Sequence, residues 1–149
     1  MVPEITSNFD LQRFVAAQGS IYPTVLAELK AGQKRTHWMW FVFPQLDGLG
    51  HSAIAQRFAI RSRDEAVAYL AMPLLGARLI ECTTAVLAVA DKSVHQIFGS
   101  PDDMKFQSSM TLFDAVDHSG LYGRALDRFF AGKRDDATLA ILTKWKSGA

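Results

Sequence analysis

Apolar residues along this chain recur every three or four positions, the spacing of helices that bury one face. Leu11, Phe14 and Val15 keep that period after Asn8 or Asp10, either of which is placed to cap a first helix through Gln18, with Gly19 ending it. Ile21 to Ala31 follows as a second helix, with Val25, Leu26 and Leu29 inward and Gly32 at its C-terminal end. Ser52 to Phe58 reads as a short helix. Ser62-Arg63-Asp64-Glu65 has the form of a capping box: the serine serves the amide of the third helical residue, and the glutamate reaches back. It opens a helix through Ala71. Pro73 suits a first helical turn, and Leu74 to Ala90 then forms the longest helix, with Leu75, Leu79, Cys82, Val86 and Val89 on its buried stripe.

Ser93 to Phe98 predicts another short helix, closed by Gly99. Ser100-Pro101-Asp102-Asp103 combines a serine cap, a proline at the first helical position and acids facing the helix N-terminus, so a helix runs from there to about Asp117. Gly120 breaks the pattern, Leu121 to Phe130 resumes it and Gly132 closes it. Asp136 is placed to cap a last helix to about Trp145. The run Trp38 to Phe43 is too short for periodicity to separate helix from buried strand. Its aromatics favour a strand, but it has helical neighbours and no partner strand, which favours a helical turn ending before Pro44. Gln45 to Gly50 is then a loop. These elements predict an all-α fold: one compact domain over residues 1–149, its core about 9–145, built from about eight or nine helices around the tryptophan segment.

Composition agrees with a folded single domain. The chain has 149 residues, 49% of them hydrophobic, enough for one sizeable core without disulfides. Sixteen basic and fifteen acidic residues leave a formal net charge of +1, so no global field draws it to nucleic acid or an anionic membrane. Basic residues do gather locally, at Lys30-Lys34-Arg35, Arg57-Arg61-Arg63 and Lys133-Arg134, which leaves room for a small anion site. Cys82 is the single cysteine, excluding an internal disulfide and a thiol-rich zinc site. Met1 to Ser7 lacks the basic and apolar regions of a signal peptide, and no apolar run is long enough to span a bilayer. The expectation is a soluble, cytoplasmic protein with no membrane partner and no nucleic-acid partner. Composition leaves its oligomeric state open.

Two segments are locally unexpected. Lys34-Arg35-Thr36-His37-Trp38-Met39-Trp40-Phe41-Val42-Phe43-Pro44-Gln45 holds two of the three tryptophans beside polar groups, so it either fills the core or lines a pocket. In Lys105-Phe106-Gln107-Ser108-Ser109-Met110-Thr111-Leu112-Phe113-Asp114, Phe106, Met110 and Phe113 form an apolar stripe, and Lys105, Ser108, Ser109 and Leu112 a neighbouring one. Serines within a helix compete for its backbone, so a tight helix crossing or a polar site must offset them. The candidate ligand-binding residues are therefore His37, Trp38, Trp40, Lys105, Ser108 and Ser109. The competing reading is that the aromatics fill the core and the serines are close-packed or solvated. Lys-x-x-Ser is the reverse of a known serine–lysine nucleophile order, Gln45 to His51 lacks the glycine spacing of a phosphate loop, and His37, His51, His95 and His118 have no metal-ligand spacing. No cofactor motif is present, and catalytic residues are not identified.

His37 to Gln45, Gly48-Leu49-Gly50, Ala71-Met72-Pro73-Leu74-Leu75-Gly76-Ala77-Arg78-Leu79, Phe98-Gly99-Ser100-Pro101-Asp102-Asp103-Met104-Lys105 and Ser108 to Phe113 together resemble domain-of-unknown-function family 1810. The likeness runs from about Phe9 to Trp145. It implies a small bacterial protein with a mainly helical single domain, and it implies no activity. A weaker likeness, an aromatic block after a lysine and then an Ala-rich helix, is to a helical family of NAD and ADP-ribose metabolism that cleaves N-glycosidic bonds. That chemistry needs a carboxylate at the anomeric carbon, for which Asp47, Asp102, Asp103 and Asp114 are available. The leading expectation is a small molecule, nucleotide-like, bound between the His37–Gln45 segment and the Lys105–Ser109 face. A hydrolase of an N-glycosidic bond in a nucleotide or ADP-ribose-like substrate and a non-catalytic protein-interaction adaptor are the alternatives.

Overall fold

The computed structural model describes residues 9–148, with side chains as far as Trp145. Asn8 and the Met1 to Ser7 start lie outside them. Among the described residues there are ten helices: α1 (Gln12–Gln18), α2 (Tyr22–Ala31), α3 (Met39–Val42), α4 (Ala53–Arg57), α5 (Arg63–Ala71), α6 (Pro73–Leu87), α7 (Val94–Phe98), α8 (Asp102–Val116), α9 (Leu121–Phe130) and α10 (Asp136–Gly148). The fold is all-α, as expected, but the count exceeds eight or nine. The tryptophan turn stands as a helix of its own, with Val42 N–H donating to the Trp38 carbonyl at 3.2 Å and Phe43 N–H to Met39 at 3.0 Å.

Two helices carry the architecture. α8 packs against α5, α7, α9 and α10, while α6 packs against α1, α2, α5 and α9. α5 and α6 meet at 89° across Met72, and Gly76 permits the bend: a Cβ there would lie 2.2 Å from the Leu70 carbonyl oxygen. All five residues of the expected α6 stripe are buried, although the helix stops at Leu87 rather than Ala90. One hydrophobic cluster joins the elements, its centre an aromatic group in which the Phe106 ring stacks on Phe98 at 4.8 Å and meets Phe43 edge-on at 5.0 Å. Gln18, buried on α1, donates to the Phe41 carbonyl at 2.7 Å and so pins α3 to α1. No single helix among the described residues is long and apolar enough to cross a membrane.

Several helix starts differ from the expected ones by a residue. Asp10 does not cap α1; its backbone is left-handed (φ 49°), and Leu11 occupies the cap position without a side-chain bond. Ser62 does accept from Glu65 N–H at 3.0 Å, but Glu65 reaches back to Arg61 N–H instead of Ser62, because its other oxygen is held by Arg13. Pro101, not Ser100, holds the cap position of α8, so the serine lies one residue too far out to bond the first turn. At α10 the capping carboxylate is Asp135, which accepts from Thr138 N–H at 3.0 Å; Asp136 is already helical. Ser93 and Gln96 form a complete capping box on α7. The Gln45 to Gly50 loop is tied to the chain after α4 by a parallel bridge: Ile60 N–H donates to Gln45 and Asp47 N–H to Ile60, both at 2.8 Å.

Candidate functional site

Glu28 organises the tryptophan segment. Its buried carboxylate accepts from Arg35 N–H at 2.9 Å, Thr36 N–H at 3.1 Å, the Thr36 hydroxyl at 2.8 Å and the Trp38 indole N–H at 2.9 Å. Burial pushes the Glu28 carboxyl up, but these bonds outweigh it and hold it below its ordinary value. Lys34 Nζ lies 2.8 Å from Asp102 Oδ2 and 5.1 Å from the Trp38 ring centre. Lys105 Nζ lies 3.6 Å from the other Asp102 oxygen and 5.2 Å from the Trp40 ring centre. Asp102 thus joins two lysines, each over one tryptophan, and fastens the segment to the start of α8.

The six candidate residues separate into two groups. Lys105 and Trp40 come together, both half-buried, and His37 is exposed. Trp38 is 1% exposed, Ser108 6% and Ser109 0%, so these three are core residues. Ser108 donates to the Met104 carbonyl at 3.2 Å, while the Ser109 hydroxyl has no hydrogen-bond partner. The serines are close-packed, not solvated: both are buried on α8, the helix against which α5, α7, α9 and α10 pack. Of three cavities lined by described residues, none has any of the six candidates in its lining.

The most polar of the three occupies about 530 Å³ between the α1 start and the chain leading into α5, lined by Phe9, Asp10, Arg13, Arg57, Arg61, Ser62 and Glu65. Arg13 forms its floor. Its Nε donates to the Arg57 carbonyl at 2.8 Å and Nη1 to the Phe9 and Asp10 carbonyls at 2.7 and 2.8 Å. Nη2 donates to the Ala59 carbonyl at 2.9 Å and to Glu65 Oε2 at 2.8 Å. Those contacts occupy every N–H of the guanidinium, and Glu65 balances its charge. Arg57 and Arg61 differ. Both are exposed. Among the described residues the Arg57 guanidinium donates to no acceptor, resting 5.3 Å from the Phe58 ring centre, and the Arg61 guanidinium donates only to the Gln56 carbonyl at 3.2 Å. The basic cluster was visible in sequence, although Arg63 turns away to the Ala115 carbonyl; Phe9, Asp10 and Arg13 were not, since they belong to a distant segment, and Glu65 reads from sequence only as a capping residue.

The other cavities hold less chemistry. One, of about 390 Å³, is lined by Lys30, Glu81, Thr84, Ala85 and Ala88; the other, about 350 Å³, lies between α6 and α9. Of the carboxylates considered for a glycosidase, Asp102 and Asp114 are in ion pairs with lysine and arginine, Asp103 lies 3.2 Å from His95, and none, Asp47 included, lines any of these three cavities. Burial pushes the Cys82 thiol up to about 11 even though it bonds to Tyr22, leaving it a poor nucleophile. No cluster of three metal-ligating side chains occurs among the described residues.

The chain is 50% identical to a conserved hypothetical protein from Mycobacterium tuberculosis of known crystal structure, with a TM-score of 0.90 over 91% of this chain and 98% of that one. No curated protein sequence matches it. The model of the family described as "Protein of unknown function (DUF1810)" matches residues 8–142. With nearly the whole helical domain inside that match, the chain belongs to the DUF1810 family.

Proposed function

We propose that this is a cytoplasmic protein that binds a small anionic molecule in the arginine-lined cavity. The observation that carries the reading is the contrast among its three arginines: Arg13 is fully engaged by the protein, whereas among the described residues Arg57 and Arg61 present almost unengaged guanidinium groups. A planar guanidinium fork matches carboxylate and phosphate oxygens, and the volume is in the range of ligand sites. Thermal unfolding with inorganic phosphate, sulfate, succinate and ribose 5-phosphate tests it. A ligand at a hundredfold excess over its Kd adds about 2.7 kcal/mol, or roughly 5–11 °C for a chain of this size. The Arg57→Ala/Arg61→Ala double variant should lose that rise. No rise with any anion, or an equal rise in the double variant, rejects the reading.

A second reading keeps the tryptophan segment as the contact surface for a nucleotide-like ligand or a partner protein. The Lys105 ammonium above the half-buried Trp40 favours it, with exposed His37 on the same segment and Trp38, Ser108 and Ser109 supporting from within. In that case Lys105→Ala would abolish binding and Arg57→Ala/Arg61→Ala would not.

A further inference from the structure

We infer that the molecule taken up by this cavity is an organic phosphate monoester with hydroxyl groups on its body, a sugar phosphate in chemical class. The inference rests on the anion reading above. With Arg13 neutralised by Glu65, the lining keeps two cations, Arg57 and Arg61, and one anion, Asp10. A phosphate monoester carries roughly −1.5 to −2 near pH 7, close to the charge of the two guanidinium groups. The Ser62 hydroxyl accepts from Glu65 N–H, which leaves its own O–H to donate to a phosphate oxygen.

Asp10 decides what the rest of the ligand must be. An ionised carboxylate only accepts hydrogen bonds and repels a bare anion, so its place in the lining calls for a donor. The backbone that carries it is held, because the Arg13 guanidinium grips the Phe9 and Asp10 carbonyls at the left-handed turn. A sugar hydroxyl supplies that donor, and the half-buried Phe9 ring offers a face for the carbon skeleton. A simple dicarboxylate would satisfy both arginines and leave Asp10 against acceptors alone. Inorganic phosphate would leave most of the cavity to water.

Isothermal titration of the full chain with ribose 5-phosphate, inorganic phosphate, ribose and L-glutamate tests this, using the wild type, Asp10→Asn and Arg57→Ala/Arg61→Ala. Ribose 5-phosphate should bind about tenfold tighter than inorganic phosphate, the worth of one charge-assisted hydrogen bond, and ribose alone should not register. Asp10→Asn should shrink that preference while leaving phosphate affinity equal or higher, and the double arginine variant should lose both ligands. These side chains are exposed and carry little of the internal bonding, so the variants keep the fold. Inorganic phosphate binding as tightly as ribose 5-phosphate, or glutamate outbinding both, overturns the ligand class and leaves the anion site standing. Binding by none of the anions overturns the site itself.

Discussion

Replacing Glu28 tests how the tryptophan segment is held. Arg35 and Thr36 are exposed, so water recovers their amides once the carboxylate is gone. The Trp38 indole N–H is not so placed: the residue is 1% exposed and Glu28 is its acceptor. Leaving one buried donor unsatisfied costs about 1–3 kcal/mol, and losing the remaining charge-assisted bonds raises the total for Glu28→Ala to about 3 kcal/mol. Glu28→Gln keeps an acceptor for the indole and both amides and should cost about 1 kcal/mol. Urea unfolding followed by circular dichroism measures both; in a thermal scan the alanine variant should lose roughly 6–12 °C. The acid dependence has a definite sign. Folding lowers the Glu28 carboxyl below its ordinary 4.5, so its contribution is present above that pH and disappears as pH falls through the folded value. The gap between wild type and Glu28→Gln should therefore narrow on acidification. An alanine variant within about 1 kcal/mol of wild type, or a gap to Glu28→Gln that ignores pH, would refute this account.

Two further substitutions probe the packing. Gly76→Ala places a methyl 2.2 Å from the rigid Leu70 carbonyl oxygen, so the α5–α6 bend must open, at a cost of about 3 kcal/mol in denaturant unfolding; a near-neutral result would mean the bend tolerates a Cβ. Ser109→Ala removes a buried hydroxyl that has no partner and should leave stability unchanged or raise it by up to about 1 kcal/mol; a loss above about 1 kcal/mol would show that the hydroxyl has a bonding role.

Particular residues show where sequence reading succeeds. Leu75, Leu79, Cys82, Val86 and Val89 were legible as a buried stripe because a helix repeats its faces at a known period, whatever it packs on. Ser62 caps its helix, as its spacing to Glu65 predicts, because a cap reaches only three residues along. Asp10, Ser100 and Asp136 show the limit of that reading. Each sits beside a helix start, and a one-residue shift of the first turn removes the bond. Ser108 and Ser109 stand out in the sequence as unfavourable residues for a helix interior. What offsets them is the crowding of four helices around α8, which no local pattern records.

By itself, the sequence determined an all-helical domain, its main buried stripes, and the pairing of a tryptophan-rich segment with basic neighbours. Those features depend on local spacing and on the hydrophobic effect acting residue by residue. Only the tertiary structure decided which distant groups meet. Glu28 receives the Trp38 indole, Asp102 joins Lys34 to Lys105, and Arg13 closes on Glu65 to make a floor beneath Arg57 and Arg61. Periodicity states which face of a helix is buried and leaves open its direction and depth against the next one. Partners far apart in the chain are set by that second choice, and the arginine cavity exists because of it.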